Sequence, residues 1–206
     1  MRIDDLHGNA PDRSPITLLL VDVINDLEFP GGAELAAAAL PMARALAKLS
    51  KRGRREGCAI IYANDNFGRW RSDFRAQLRH CLDEPVRGRP VAELLRPEDT
   101  DYFVLKPKHS AFYSTALELL LQHLETRTLI ISGMATESCV LFTANDAYLR
   151  NYRIIVPSDC VASAQAEDAR RALDQMRLVL KADVRPSEEL DWLRLSAERA
   201  DRPNGA

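Results

Sequence analysis

The sequence predicts an α/β protein: a three-layer α/β/α, Rossmann-like domain built on a mainly parallel sheet of about six strands. Three observations carry that prediction. Short apolar, β-branched runs alternate along the chain with amphipathic helical stretches. The runs are continuous rather than alternating in polarity, which is how strands read when helices cover both faces of a parallel sheet. The chain has 206 residues, 46% of them hydrophobic, enough for a full core in one domain of ordinary size.

Met1 to Pro15 is polar with two prolines and reads as an N-terminal arm. Ile16-Thr17-Leu18-Leu19-Leu20-Val21 is the first buried strand, ending at Asp22. The turn-rich loop Val23 to Gly32 follows. From Gly32, Ala and Leu content and spacing give a helix with Met42, Leu46 and Leu49 on one side. Pro41 implies a kink or restart, and Gly53 and Gly57 mark its exit. Cys58 to Ala63 is the second strand, and Asn64-Asp65-Asn66-Phe67-Gly68-Arg69-Trp70 its exit loop. Phe74, Leu78 and Cys81 suggest a short helix, and Val91 to Leu95 a helical turn beyond the loop Pro85 to Pro90. Tyr102 to Leu105 is the third strand. A helix from Tyr113 to Leu124 follows, with Thr115 and Glu118 at capping-box spacing. Arg127 to Ile131 is the fourth strand. The chain then breaks at Gly133 and becomes helical from Cys139 to about Arg150, with Val140, Leu141, Ala144 and Ala147 on neighbouring faces. Tyr152 to Val156 is the fifth strand. A helix from about Gln165 to Lys181 carries Ala169, Leu173, Met176 and Leu180 on its apolar side. Ala182-Asp183-Val184 reads as a brief last strand, Ser187-Glu188-Glu189 as a short helix start, and residues 196–206 as a loose tail.

The charge balance, 28 basic against 30 acidic residues, gives no electrostatic reason to expect nucleic acid or an anionic membrane as partner. No apolar run approaches a membrane span, and the first residues lack the apolar core of a signal peptide. Cys58, Cys81, Cys139 and Cys160 show neither close pairing nor zinc-like spacing, which fits reduced thiols in a cytoplasmic protein. The first strand is followed by no GxGxxG, and the chain has no GxxxxGK[ST], so a dinucleotide site and a P-loop lack support.

In a parallel sheet the C-terminal ends of the strands lie along one edge, where open α/β sheets place ligand chemistry. Asp22, Lys106 and Cys139 fall at such ends. Together they supply a proton acceptor, a cation and a nucleophile. Lys108 is as available as Lys106 by spacing alone. A cysteine at a helix start would feel partial positive charge that favours a thiolate. Backbone N–H groups near Ala135 and Cys139 could receive an oxyanion.

Three segments are similar to the isochorismatase-like cysteine hydrolases, the superfamily of nicotinamidases, N-carbamoylsarcosine amidases and ureide hydrolases. They are LLLVDVINDLEFPGG, VLKPKHSAFYSTALELLL and LIISGMATESCVLFTANDAYLRNYRIIVPSDC. The resemblance implies a catalytic triad of Asp22, Lys106 and Cys139. It selects Lys106 over Lys108, because the family lysine stands at the strand end before Ser-Ala-Phe. It also implies a cis peptide between Met134 and Ala135 that aims the Ala135 N–H at the oxyanion, a homo-oligomer, a small-molecule substrate and no cofactor. Two departures stand out. Many nicotinamidases hold a metal with an Asp-x-His motif after the second strand, and here that place reads Asn64-Asp65-Asn66-Phe67, so no metal is expected. Ile24 stands where the family often has Gln. Isochorismatases proper tend to lack the cysteine, so Cys139 implies carbonyl C–N hydrolysis through a thioester. The alternatives are vinyl-ether hydrolysis with Asp22 as general acid, and a binding member of the fold without turnover.

Pocket candidates are Phe29, Asn66, Phe67, Trp70 and Phe112, loop residues after strand ends. Loop packing explains such aromatics equally well. Asn66 or Asp65 could bond a substrate amide, or serve a turn. Arg69 and Arg71 could meet a carboxylate. His109 reads as a packing or turn residue, and Cys58, Cys81 and Cys160 as structural.

Overall fold

The computed structural model describes residues 13–66, 73–192 and 195. Their centre is a six-stranded sheet in which every pairing is parallel. The strands are β1 (Ile16–Val21), β2 (Ala59–Asp65), β3 (Tyr102–Lys106), β4 (Thr128–Met134), β5 (Arg153–Ile155) and β6 (Val161–Ala162). Their order is β3-β2-β1-β4-β5, and β6 pairs with the far end of β4.

Side chains of successive strand residues point to opposite faces, and the core divides accordingly. Leu18, Leu20, Ile60, Tyr62 and Ile130 pack against α1 (Gly32–Arg55), α2 (Phe74–Asp83) and α3 (Arg89–Leu94). Leu19, Val21, Ile61, Ala63, Leu129 and Ile131 pack against α4 (Leu117–His123), α5 (Leu141–Leu149) and α6 (Ala166–Val179). Apolar residues on both faces of each central strand are what made the runs continuous in sequence.

Several expectations need correcting. Helix α1 runs unbroken through Pro41, which lies on its exposed face. Ala37, whose carbonyl would have accepted a bond from residue 41, is an exposed residue on the same face. Gly53 lies inside α1, where a Cβ would stand 3.4 Å from the Trp192 ring, and Gly57 (φ 72°) alone ends the helix. Helix α4 starts at Leu117 rather than Tyr113 or Thr115. Thr115 Oγ1 accepts the Leu117 N–H, but Glu118 pairs with Arg150 instead of closing a capping box. Ala182–Val184 forms only a bridge between Asp183 and Ile155; the sixth strand is Val161–Ala162. On α6 the buried positions are Ala172 and Met176, with Ala169 and Leu173 half-buried. Within the arm, Ser14 is buried and its hydroxyl takes the Ala59 N–H at 2.7 Å, tying the chain to β2. Residues 1–12 of the arm and the tail, residues 196–206, lie outside the described residues.

Strand β4 does not break at Gly133 but runs through it to Met134. Gly133 has φ 110°, and a Cβ there would stand 2.0 Å from the Val21 carbonyl oxygen. Only glycine lets β4 lie this close to β1 in that conformation. Gly133→Ala is expected to lower unfolding free energy by about 2 kcal/mol or more. Urea denaturation monitored by circular dichroism measures this, and an unchanged midpoint would contradict the close approach.

Candidate active site

The chain leaves β1 outward through β2 to β3, then returns to β4 on the other side of β1. The strand order therefore reverses between β1 and β4, and a crevice at the carboxyl ends of those strands is where open α/β sheets bind ligands. Asp22 follows β1 directly, with φ 55°. Asp tolerates this left-handed conformation better than most residues. It lets the carboxylate cover the end of β2, where Asp22 Oδ1 accepts the Asp65 N–H at 2.7 Å.

Lys106 is the last residue of β3 and is fully buried. Its Nζ lies 2.8 Å from Asp22 Oδ2 and 3.6 Å from Asp65 Oδ2. It donates to the Lys108 carbonyl oxygen at 3.2 Å and to Cys139 Sγ at 3.4 Å. Lys108 thus contributes its backbone, while its side chain is not the buried ammonium.

Past β4, the Met134–Ala135 peptide is cis. Thr136–Val140 then forms a π-helical turn, with the Val140 N–H reaching the Ala135 carbonyl five residues back at 3.2 Å, before α5 begins. Cys139 therefore sits within an irregular turn and not at the first residue of a regular helix. Such π-turns are rare and recur at functional sites. Here the turn sets Sγ against Lys106.

The electrostatics also differ from the expectation of a helix-lowered thiol. Burial first, then the Asp22 charge, push the Cys139 thiol up to about 12, against the pull of Lys106. Burial lifts Asp22 above the ordinary carboxylate value, with Lys106 working the other way. Burial would pull Lys106 down, but the Asp22 charge and hydrogen bond, with the Asp65 charge, outweigh it and hold the ammonium above its usual value. The resting site is thus a neutral thiol beside an unusually basic carboxylate and a firmly charged lysine. A thiol needs a base to become a nucleophile, and a carboxylate raised above its ordinary value is a stronger base for that task. Alkylation of Cys139 by iodoacetamide in the free protein is expected to climb with pH through the whole alkaline range without levelling, because the thiol ionises only near 12. Peptide mass spectrometry across a pH series reads this, and a plateau below about pH 9 would contradict the raised thiol. Slow alkylation at neutral pH is therefore expected of this site and would not by itself indicate a fold without turnover.

The isochorismatase domain model matches residues 17–189 of this chain. The chain belongs to the isochorismatase family. It is 43% identical over 173 residues to an uncharacterised isochorismatase family protein, YaaI, of Bacillus subtilis (strain 168), covering 84% of this chain and 94% of that protein. A 74-residue stretch, 36% of this chain and 30% of the relative, is 39% identical to the ureidoacrylate amidohydrolase RutB of Methylorubrum extorquens. The crystal structure of N-carbamoylsarcosine amidase from Thermoplasma acidophilum superposes with a TM-score of 0.66 at 29% identity, covering 85% of this chain and 98% of that one.

Within this isochorismatase-family site, the remaining candidates divide. Phe112 is buried and packs in the core, its ring 4.7 Å from the Arg150 guanidinium and 6.1 Å from Tyr152. Phe29 is an exposed loop residue whose carbonyl accepts the Gly32 N–H. Asn66 is buried and its N–H donates to the Lys106 carbonyl oxygen at 3.0 Å, which extends the β2–β3 ladder past the strand end. Phe67, Arg69, Trp70 and Arg71 lie outside the described residues. Ile24 turns into the core, and its carbonyl takes the Asn64 amide at 2.7 Å, replacing the polar contacts of a glutamine. Cys58, Cys81 and Cys160 are buried free thiols that burial keeps protonated.

Two residues acquire more weight than their sequence suggested. His109 is exposed, with Nδ1 3.9 Å from Cys139 Sγ and its ring 5.4 Å from the exposed Phe142 ring. Asp65 reaches Lys106. In both cases the signal is a cross-strand or loop approach that linear spacing does not encode.

Proposed function

We propose that this isochorismatase-family hydrolase is a metal-independent cysteine hydrolase that cleaves a small amide, carbamoyl or ureide C–N bond through a thioester on Cys139. The observation that carries the reading is the fully buried Lys106 ammonium shared between the Asp22 carboxylate at 2.8 Å and the Cys139 thiol at 3.4 Å. Asp22 takes the thiol proton as Sγ attacks the carbonyl carbon. The oxyanion is received by the backbone N–H groups of Ala135 and Cys139. Collapse breaks the C–N bond, and Asp22 delivers its proton to the departing amine. Water then attacks the thioester, giving its proton to Asp22, and the thiolate recovers that proton when the acid leaves. The names of two relatives, an amidase and an amidohydrolase, support this bond class.

Side chains around the site do not fit a resident metal. Asp65 faces Lys106, the nearby His80 pairs with Asp26 at 3.1 Å, and among the described residues no three His, Cys, Asp or Glu side chains gather into a ligand set. The proposal includes a homo-oligomer, at least a dimer, which multi-angle light scattering tests; only monomer at micromolar concentration would remove that part. It also places the protein in the cytoplasm, where unpaired thiols persist. No helix among the described residues is long and apolar enough to cross a membrane.

Mass spectrometry of Cys139 after rapid quenching with a panel of small amides and ureides tests the chemistry. The expected result is an acyl or carbamoyl mass on Cys139 that decays as product forms. Turnover with no adduct on Cys139 at any quench time, in a substrate whose deacylation limits the rate, would overturn it.

A further inference from the structure

We propose that Asp65 is a positioning residue of this site, a second carboxylate that shares the Lys106 ammonium with Asp22 and so limits how strongly that ammonium draws charge from Asp22 and the Cys139 thiol. The argument begins with register. Asp65 ends β2 and pairs directly with Lys106 at the end of β3. Its N–H holds Asp22 Oδ1 at 2.7 Å, and its own Oδ2 lies 3.6 Å from Lys106 Nζ. Gln77 of α2 fixes the same residue from outside, donating to the Asp65 carbonyl oxygen at 2.7 Å. One residue therefore orients the proton acceptor through its backbone and faces the cation through its side chain.

The charge count gives the side chain its consequence. Lys106 spends its hydrogen bonds on Asp22, the Lys108 carbonyl and Cys139. Asp65, farther away, adds charge rather than geometry. Among the described residues, the groups facing Lys106 are Asp22 just after β1, Asp65 from β2 and Cys139 from the π-turn. Among the described residues, the groups facing Cys139 are Asp22, Lys106, Ser138 and His109. Two carboxylates, Asp22 and Asp65, thus face the one Lys106 ammonium. The second carboxylate opposes thiolate formation and keeps Asp22 a better proton acceptor. Removing the Asp65 charge leaves more of the Lys106 field for its two other partners, and both the thiol and Asp22 should then lose protons more readily.

Asp65→Asn tests this, since Asn keeps the backbone N–H and nearly the same shape. Site-resolved iodoacetamide labelling of Cys139 at about pH 8 should be about three- to ten-fold faster than in the wild type, the equivalent of half to one unit in thiol acidity. The exposed-charge control Glu93→Gln should leave the rate unchanged. The acid limb of kcat/KM should move to lower pH in Asp65→Asn, a change that a merely structural residue would not produce. This inference rests on the proposed hydrolase only for that kinetic arm. Labelling uses no substrate, so faster labelling in a protein that hydrolyses no amide would overturn the function and leave the role of Asp65 standing. Labelling at the wild-type rate in a folded Asp65→Asn, or in Asp65→Ser should the first not fold, overturns the proposal. Failure of both variants to fold would make Asp65 structural and overturn it equally.

Discussion

Cys139→Ala is expected to abolish C–N hydrolysis, by about four orders of magnitude or more, while leaving the fold intact. The loss is large because the thiol forms the only covalent bond to the substrate in the proposed cycle, and no other cysteine stands near Lys106 to replace it. Cys58, Cys81 and Cys160 are buried elsewhere and held protonated. The fold should tolerate the change because Cys139 is half-buried in a turn held by backbone bonds, including Ser138 N–H and Val140 N–H to the Ala135 carbonyl. Alanine suits the following helix. Steady-state assays on the substrate found by adduct screening, with circular dichroism as the fold control, decide the matter. The same variant separates the competing readings. Vinyl-ether hydrolysis with Asp22 as acid would survive loss of Cys139 and fail in Asp22→Asn. A binding protein of this fold would show no turnover in any form. Undiminished C–N hydrolysis by Cys139→Ala would rule the thioester out.

How much of this was legible in the sequence depends on what each residue touches. Ile16–Val21 could be read as a strand because every residue after Ile16 is buried, and burial on both faces leaves an unbroken apolar run. The ends of the strands could not. Asn64, Asp65, Ser132 and Gly133 read as loop because they are polar or glycine, yet they continue the ladder. Their polarity belongs to the site at the sheet edge, where side chains meet Lys106 and the crossing chain instead of a helix. The pair Val161–Ala162 was missed because two residues carry no periodicity. Asp22, Lys106 and Cys139 were legible as three strand-end groups, and the resemblance chose among neighbours such as Lys108. The contacts of Asp65 and His109 with this cluster were not legible, since each depends on the register of separate segments. Phe112 illustrates the converse. Its place in a loop suggested a pocket, but Arg150 and Tyr152, distant in sequence, cover it.

Lys106→Met should both inactivate and destabilise the protein, by about 3–5 kcal/mol at neutral pH. Methionine fills a similar volume and leaves the ammonium's partners behind. Asp22, nearly as buried as Lys106, would keep the Asp65 N–H as a partner and lose its cation. The pH dependence follows from the direction in which Asp22 is displaced. Burial already raises Asp22 above the ordinary carboxylate value, and Lys106 is the largest influence holding it down. Without Lys106 its folded-state value rises further above the unfolded one. A carboxyl raised on folding favours the folded state below its unfolded value and loses that contribution as pH rises through the folded value. The deficit of Lys106→Met should therefore be largest at neutral pH and shrink in mildly acidic buffer, where Asp22 takes up a proton. Denaturant titrations at both pH values measure it. The double variant Asp22→Asn, Lys106→Met removes the stranded charge as well as the cation, so it should recover much of the lost stability while remaining inactive. That separation distinguishes a pair kept for catalysis from one kept for the fold, because an uncharged pair can serve the fold and cannot move the thiol proton. Lys106→Met as stable as wild type at neutral pH, or a double variant no more stable than the single, would show that the ammonium and the Asp22 carboxylate are not coupled in the folded protein.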